Sequence, residues 1–248
     1  MMAVSTLGAL TLREVPGESL VKQGENVLRA VFTRLWSIVT DLVKIVFTVE
    51  GLTGLLICLA PVGCGALTNL FSALAEPYKV PDGMVEWVNG LGMGITGALG
   101  SLLGGFLSDK MNRRFAYALA GGLTAACALG MALSPMTTTT YLWGTLSYSF
   151  ANGIAFAAFA GMVLEIVNKG AVATKYAAFV AVSNLAISYN TALDAAASNY
   201  RGWGVRGTLF ADAAITFAGI CFLVLMVTVT RAVVSRRAEA VPVAAPPA

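Results

Sequence analysis

Gly104-Gly105-Phe106-Leu107-Ser108-Asp109-Lys110-Met111-Asn112-Arg113-Arg114 sets four charges within six residues, between two long apolar runs. The chain around it is 57% hydrophobic and 12% charged, with a mean hydropathy of +0.77. Soluble domains carry about 25% charged residues, so a bilayer is the main solvent and the charges of residues 109–114 mark a turn in water between two membrane helices. Working outward, six runs approach the roughly 20 apolar residues that one span needs. They cover about 52–75, 86–108, 114–134, 140–163, 175–198 and 209–231. Breaks separate them at Pro77 to Gly83, at the charged turn, at Ser134-Pro135 with four threonines, at Asn168-Lys169-Gly170, and at Asn199 to Gly207.

The expected architecture is an all-α membrane protein of six transmembrane helices, preceded by an amphipathic interfacial helix. Residues 1–25 form a polar N-terminal segment, broken by Pro16-Gly17 and without a signal-peptide pattern. Residues 26–49 repeat polar groups every three or four positions (Arg29, Thr33, Ser37, Thr40, Asp41, Lys44), which suits a helix lying along the interface or a linker helix packed on the bundle. Residues 50–235 hold the spans, and residues 236–248 are an Ala/Pro-rich tail.

Lysine and arginine set the orientation. With six spans, both termini share a side with the second and fourth loops. That side holds Arg13, Lys22, Arg29, Arg34, Lys44, Lys110, Arg113, Arg114, Lys169, Lys175, Arg231, Arg236 and Arg237, thirteen in all; Lys79, Arg201 and Arg206 make three on the other. Both ends are therefore expected in the cytoplasm, with the chain in the inner (plasma) membrane.

Histidine is absent, which removes the usual metal ligand and neutral-pH acid–base group. Cys58, Cys64, Cys127 and Cys221 sit singly in apolar runs and read as packing residues. No GxSxG motif or paired intramembrane catalytic acids stand out. Neither an enzyme nor a cofactor is expected.

The turn reads G-x-x-x-D-K-x-N-R-R from Gly105 through Asp109 and Lys110 to Arg113 and Arg114. It resembles the cytoplasmic loop of the major facilitator superfamily, G-x-x-x-D-[RK]-x-G-[RK]-[RK], which joins the second and third helix of each six-helix half. Asn112 stands where the pattern has glycine, and asparagine also tolerates a left-handed backbone. The resemblance implies a gating role for Gly105, Asp109, Lys110, Arg113 and Arg114. A second likeness, Ala173-Thr174-Lys175-Tyr176-Ala177-Ala178-Phe179 with Ser183-Asn184-Leu185 and Gly202-Trp203-Gly204, is to the branch of muropeptide permeases and acetyl-coenzyme A transporters. Residues 30–235 would then be the C-terminal half of a twelve-helix carrier. Its partners would be the lipid bilayer, a small-molecule solute and a second six-helix half, either a separate chain or a second copy.

Polar residues inside spans are expensive in lipid and mark interiors or pathways. Asn184, Ser188, Thr191, Asp194 and Ser198 recur every three or four residues, with Asn190 at the margin. Thr145, Ser149 and Asn152 make a shorter stripe with Tyr148 beside it, and Asn69 stands in the first run. They line a solute or ion pathway, or they hydrogen-bond between helices. Asp194, Asp212 and Glu165 are the candidate coupling acids. Gly90, Gly94, Gly97, Ser101 and Gly105 suggest a close-packing face on the second span. The functional expectation is half of a secondary transporter that moves a polar or anionic metabolite by alternating access, with protons as candidate coupling ion. The alternatives are a non-transporting membrane scaffold or partner subunit, or a truncated transporter fragment.

Overall fold

A computed structural model describes residues 33, 36, 37, 40, 47–167 and 172–239, and among these no strand occurs. The helices are α1 (Val49–Leu59), α2 (Phe71–Leu74), α3 (Asp82–Trp87), α4 (Met93–Lys110), α5 (Arg113–Leu133), α6 (Thr138–Val167), α7 (Val172–Asn199) and α8 (Gly204–Glu239). A π-helical turn, Val88–Gly92, joins α3 to α4 without a break. Four helices among the described residues are long and apolar enough to cross a membrane: Asp82–Lys110, Arg113–Leu133, Thr138–Val167 and Gly204–Val233. The protein is a multi-pass membrane protein. At 28 residues α7 is about 42 Å long, long enough to span but not among the four, because Lys175, Asn184, Ser188, Asn190, Thr191 and Asp194 lower its hydropathy.

The expected first span, 52–75, is not one helix. α1 ends at Leu59, and the chain passes through Pro61 and two residues with positive φ, Gly63 (+56°) and Gly65 (+74°), before short helical turns at Ala66–Asn69, Phe71–Leu74 and Glu76–Tyr78. Proline removes a helical donor and glycine tolerates the left-handed backbone, so the run is apolar enough for a span but cannot propagate one. Such irregular backbone is tolerated at membrane depth where it lies against protein or a cavity. Here the Tyr189 hydroxyl donates to the freed Leu59 carbonyl at 2.6 Å.

Local chemistry sets the other boundaries. Thr48 accepts from the Gly51 amide at 3.0 Å and caps α1. Asn112 accepts from the Arg114 and Phe115 amides and caps α5. Its φ is −59°, so the residue that replaces the motif's glycine serves as an N-cap rather than as a left-handed turn residue. Thr137 accepts from the Thr140 amide ahead of α6. Gly202 and Gly204, both at positive φ, turn α7 into α8. α8 continues to Glu239, so the first four residues of the expected tail are helical. The 1–25 segment, residues 240–248 and most of the 26–49 segment lie outside the described residues; within the last, Thr33, Trp36, Ser37 and Thr40 are helical.

The tightest seam joins α4 to α6. A Cβ on Gly100 would fall on the Phe150 carbonyl oxygen, and one on Gly104 would lie 2.6 Å from that of Ile154. Across the seam a Cβ on Gly153 would fall on the Gly97 carbonyl oxygen, and the Ser101 hydroxyl donates to the Gly153 carbonyl at 3.2 Å. The close-packing face is therefore Gly97, Gly100, Ser101 and Gly104. Gly90 and Gly105, expected in it, face open space. A strict four-residue spacing drifts by about 40° per step on a helix of 3.6 residues per turn, so glycines from 90 to 105 do not share one face. Leu99, Leu102 and Phe106 on α4, Phe115 and Leu123 on α5, and Phe217 and Leu225 on α8 stay exposed, as side chains against lipid do.

Candidate functional site

The break after α1 opens a cavity of about 220 Å³ between the broken segment, α5, α6 and α7. Thr68, Asn69, Asn152, Ser183 and Asn184 supply its polar lining, and Tyr117, Phe156 and Phe159 an aromatic wall. Asn152 is at the middle of the 30-residue α6 and Asn184 near the middle of α7, so the cavity lies beside the middle of both helices. Gly65 is what lets Asn152 in: a Cβ there would lie 2.5 Å from both amide atoms. Asn69, Phe156, Asn184 and Ser188 are exposed, so this polar concavity opens on the surface of the bundle. Asn69 donates to the Thr191 hydroxyl at 3.3 Å, which ties the rim of the broken segment to α7.

The expected polar stripe on α7 divides in two. Each +4 step advances about 40° around a helix and each +3 step retreats about 60°, so Asp194 lies about 80° away from Asn184. Asn184, Ser188 and Thr191 stay on the open side. Asn190 and Asp194 point inward with 0% exposure. There they meet Asp212 on α8 and Tyr148 on α6, both also at 0%. The Tyr148 hydroxyl donates to the Asp212 carboxylate, 3.2 Å from each oxygen. Asp194 is buried in the same cluster, and neither of its carboxyl oxygens has a hydrogen-bond partner among the described residues. The Asn190 amide donates to the Cys64 thiol at 3.2 Å, which links this cluster to the broken segment. The residues expected as one pathway are thus a cavity lining (Asn152, Asn184, with Ser188 and Thr191 on the same side) and a separate buried cluster (Tyr148, Asn190, Asp194, Asp212).

Sequence spacing marked Asp212 but not Thr208 or Thr216, buried one turn to either side of it on α8. The four-residue repeat Thr208, Asp212, Thr216 was the available signal. Cys64, read as a packing residue, lies between the cavity and the cluster.

At the opposite end, Arg113 reaches across from α5 to α6. Its Nη1 donates to the Gly161 carbonyl at 3.0 Å and lies 3.9 Å from Glu165 Oε2. Asp109 and Lys110 are exposed, and the Lys110 ammonium sits 5.8 Å from the centre of the Phe106 ring. Among the described residues, nothing lies within 4 Å of where a Cβ on Gly105 would stand. Glu165 is 57% exposed and paired with Arg113, far from the buried acids in α7 and α8. Exposed ion pairs contribute about 0–1 kcal/mol, so Glu165→Gln is expected to leave transport unchanged and to lower the melting temperature by no more than about 4 °C. A differential scanning measurement beside an uptake assay checks both.

The sequence profile of the Major Facilitator Superfamily matches residues 1–191. The chain belongs to this superfamily. Its members are transporters, and the apolar helices fit a transmembrane carrier. A comparison with curated proteins finds no significant match.

Proposed function

We propose that this bundle is one half of a secondary carrier that works by alternating access, with the cavity beside Asn69, Asn152 and Asn184 as its share of the solute site. The observation that carries the reading is the exposure of Asn69, Asn184 and Ser188 around a cavity at half helix depth. Acyl chains offer no hydrogen bonds, so amides facing lipid there are costly. A second six-helix half, with solute or water between, satisfies them. The volume agrees: about 220 Å³ falls short of the roughly 300–1000 Å³ of a complete small-molecule site, as part of a shared site should.

Asp194 and Asp212 serve as the coupling acids in this reading, and the turn of Asp109, Lys110, Arg113 and Arg114 as the cytoplasmic gate that fastens α5 to α6 in one state. By the distribution of lysine and arginine, that turn and both ends of the chain face the cytoplasm. The scaffold reading needs the polar residues sealed between helices, and the open cavity disfavours it. The test is the mass of the purified protein in nanodiscs, by light scattering corrected for lipid. A dimer, or a co-purifying six-helix partner, is the expected result. A strict monomer with nothing bound would overturn the half-carrier reading.

A further inference from the structure

The cavity has a chemical character of its own. Its polar lining includes three side-chain amides, from Asn69, Asn152 and Asn184, the hydroxyls of Thr68 and Ser183, and the side chains of Tyr117 and Cys64. Among the described residues no charged side chain lines it. The two carboxyls nearest in the fold, Asp194 and Asp212, are fully buried in the separate cluster, with Asp212 engaged by Tyr148. The arginines of the charged turn belong to the far end, where Arg113 is held by Gly161 and Glu165.

An anion transferred to this depth needs a cation or an array of aligned N–H donors, because burying an unpaired charge is far more costly than burying a hydroxyl. The lining offers neither. Side-chain amides instead donate and accept side by side, which matches hydroxyl and amide groups on a solute. The aromatic wall of Tyr117, Phe156 and Phe159 offers flat apolar surface opposite them. Aromatic faces suit the C–H face of a ring whose edge carries the polar groups.

We infer that this half-site receives an uncharged, polar, ring-containing solute bearing several hydroxyl or amide groups, and not an anionic metabolite. The inference rests on the half-carrier reading, and its test separates the two. Membrane vesicles from cells overproducing the full chain are assayed for uptake of matched pairs: glucose and glucuronate, N-acetylglucosamine and its 6-phosphate, uridine and uridine monophosphate. Uptake of at least one neutral member, at ten times or more the rate of its charged counterpart, is the expected result. Asn184→Leu, at an exposed position outside the packed core, should then lower that uptake at least tenfold, and Asn152→Leu likewise. Preference for the charged members would overturn the inference and leave the carrier reading standing. Vesicles that move no member of any pair faster than vesicles lacking the chain would overturn both. Neutral uptake that survives both leucine variants would show that the solute does not touch this cavity, and would also overturn the inference.

Discussion

Gly100→Leu is expected to remove the folded protein from the membrane almost entirely. The position has no room for even a methyl group, because a Cβ there lands on the Phe150 carbonyl oxygen, and the obstacle is helix backbone rather than a side chain that can swing aside. Separating α4 from α6 enough to admit leucine would pull Gly104 from Ile154 and Gly97 from Gly153, and break the Ser101 to Gly153 hydrogen bond. Overpacking alone costs about 1–3 kcal/mol, and losing the dispersion contacts of a whole helix seam adds to it. A drop in melting temperature of about 10 °C or more follows from the usual scaling for chains of this size. Gly105→Leu is the control: nothing lies near a Cβ at that position, so stability should change by less than about 1 kcal/mol. Equal losses in the two variants, measured by thermal denaturation in detergent, would show that the α4–α6 seam does not hold the bundle together.

The contrast between these two glycines, five residues apart on one helix, shows how far the sequence could be read. The positions of five long helices were legible, because long apolar runs bounded by Pro, Gly and charge can be little else in a bilayer. The course of 52–75 was not. Its composition suits a span, and only the backbone shows that Pro61, Gly63 and Gly65 turn the chain aside to make room for the Asn152 amide. Residue spacing found Asn184 and Asp194 but joined them into one stripe, because two successive three-residue steps turn the helix away unnoticed. Which glycines sit in the seam depends on the rotation of α4 about its axis, and that is fixed by α6, some fifty residues further along.

The second large effect is expected at Asp212, and the choice of replacement decides what is learned. Asparagine keeps an acceptor for the Tyr148 hydroxyl but removes one of the two ionisable side chains of the buried cluster. Asp212→Asn should therefore fold, with a melting temperature within about 4 °C of the parent, yet hold one ionisable carboxyl in the cluster where the parent holds two. Accumulation of solute driven by a pH gradient is expected to fall at least tenfold, while exchange of labelled for unlabelled solute at equal pH persists. Asp212→Leu should behave differently. It leaves the Tyr148 hydroxyl buried without its partner, and an unsatisfied buried polar group costs about 1–3 kcal/mol, so both fold and exchange should suffer. Gradient-driven accumulation that is undiminished in Asp212→Asn and in Asp194→Asn would remove the pair from proton coupling. Asp212 would then be a structural acceptor that ties α8 to α6 through the Tyr148 hydroxyl, and not a carrier of cargo protons.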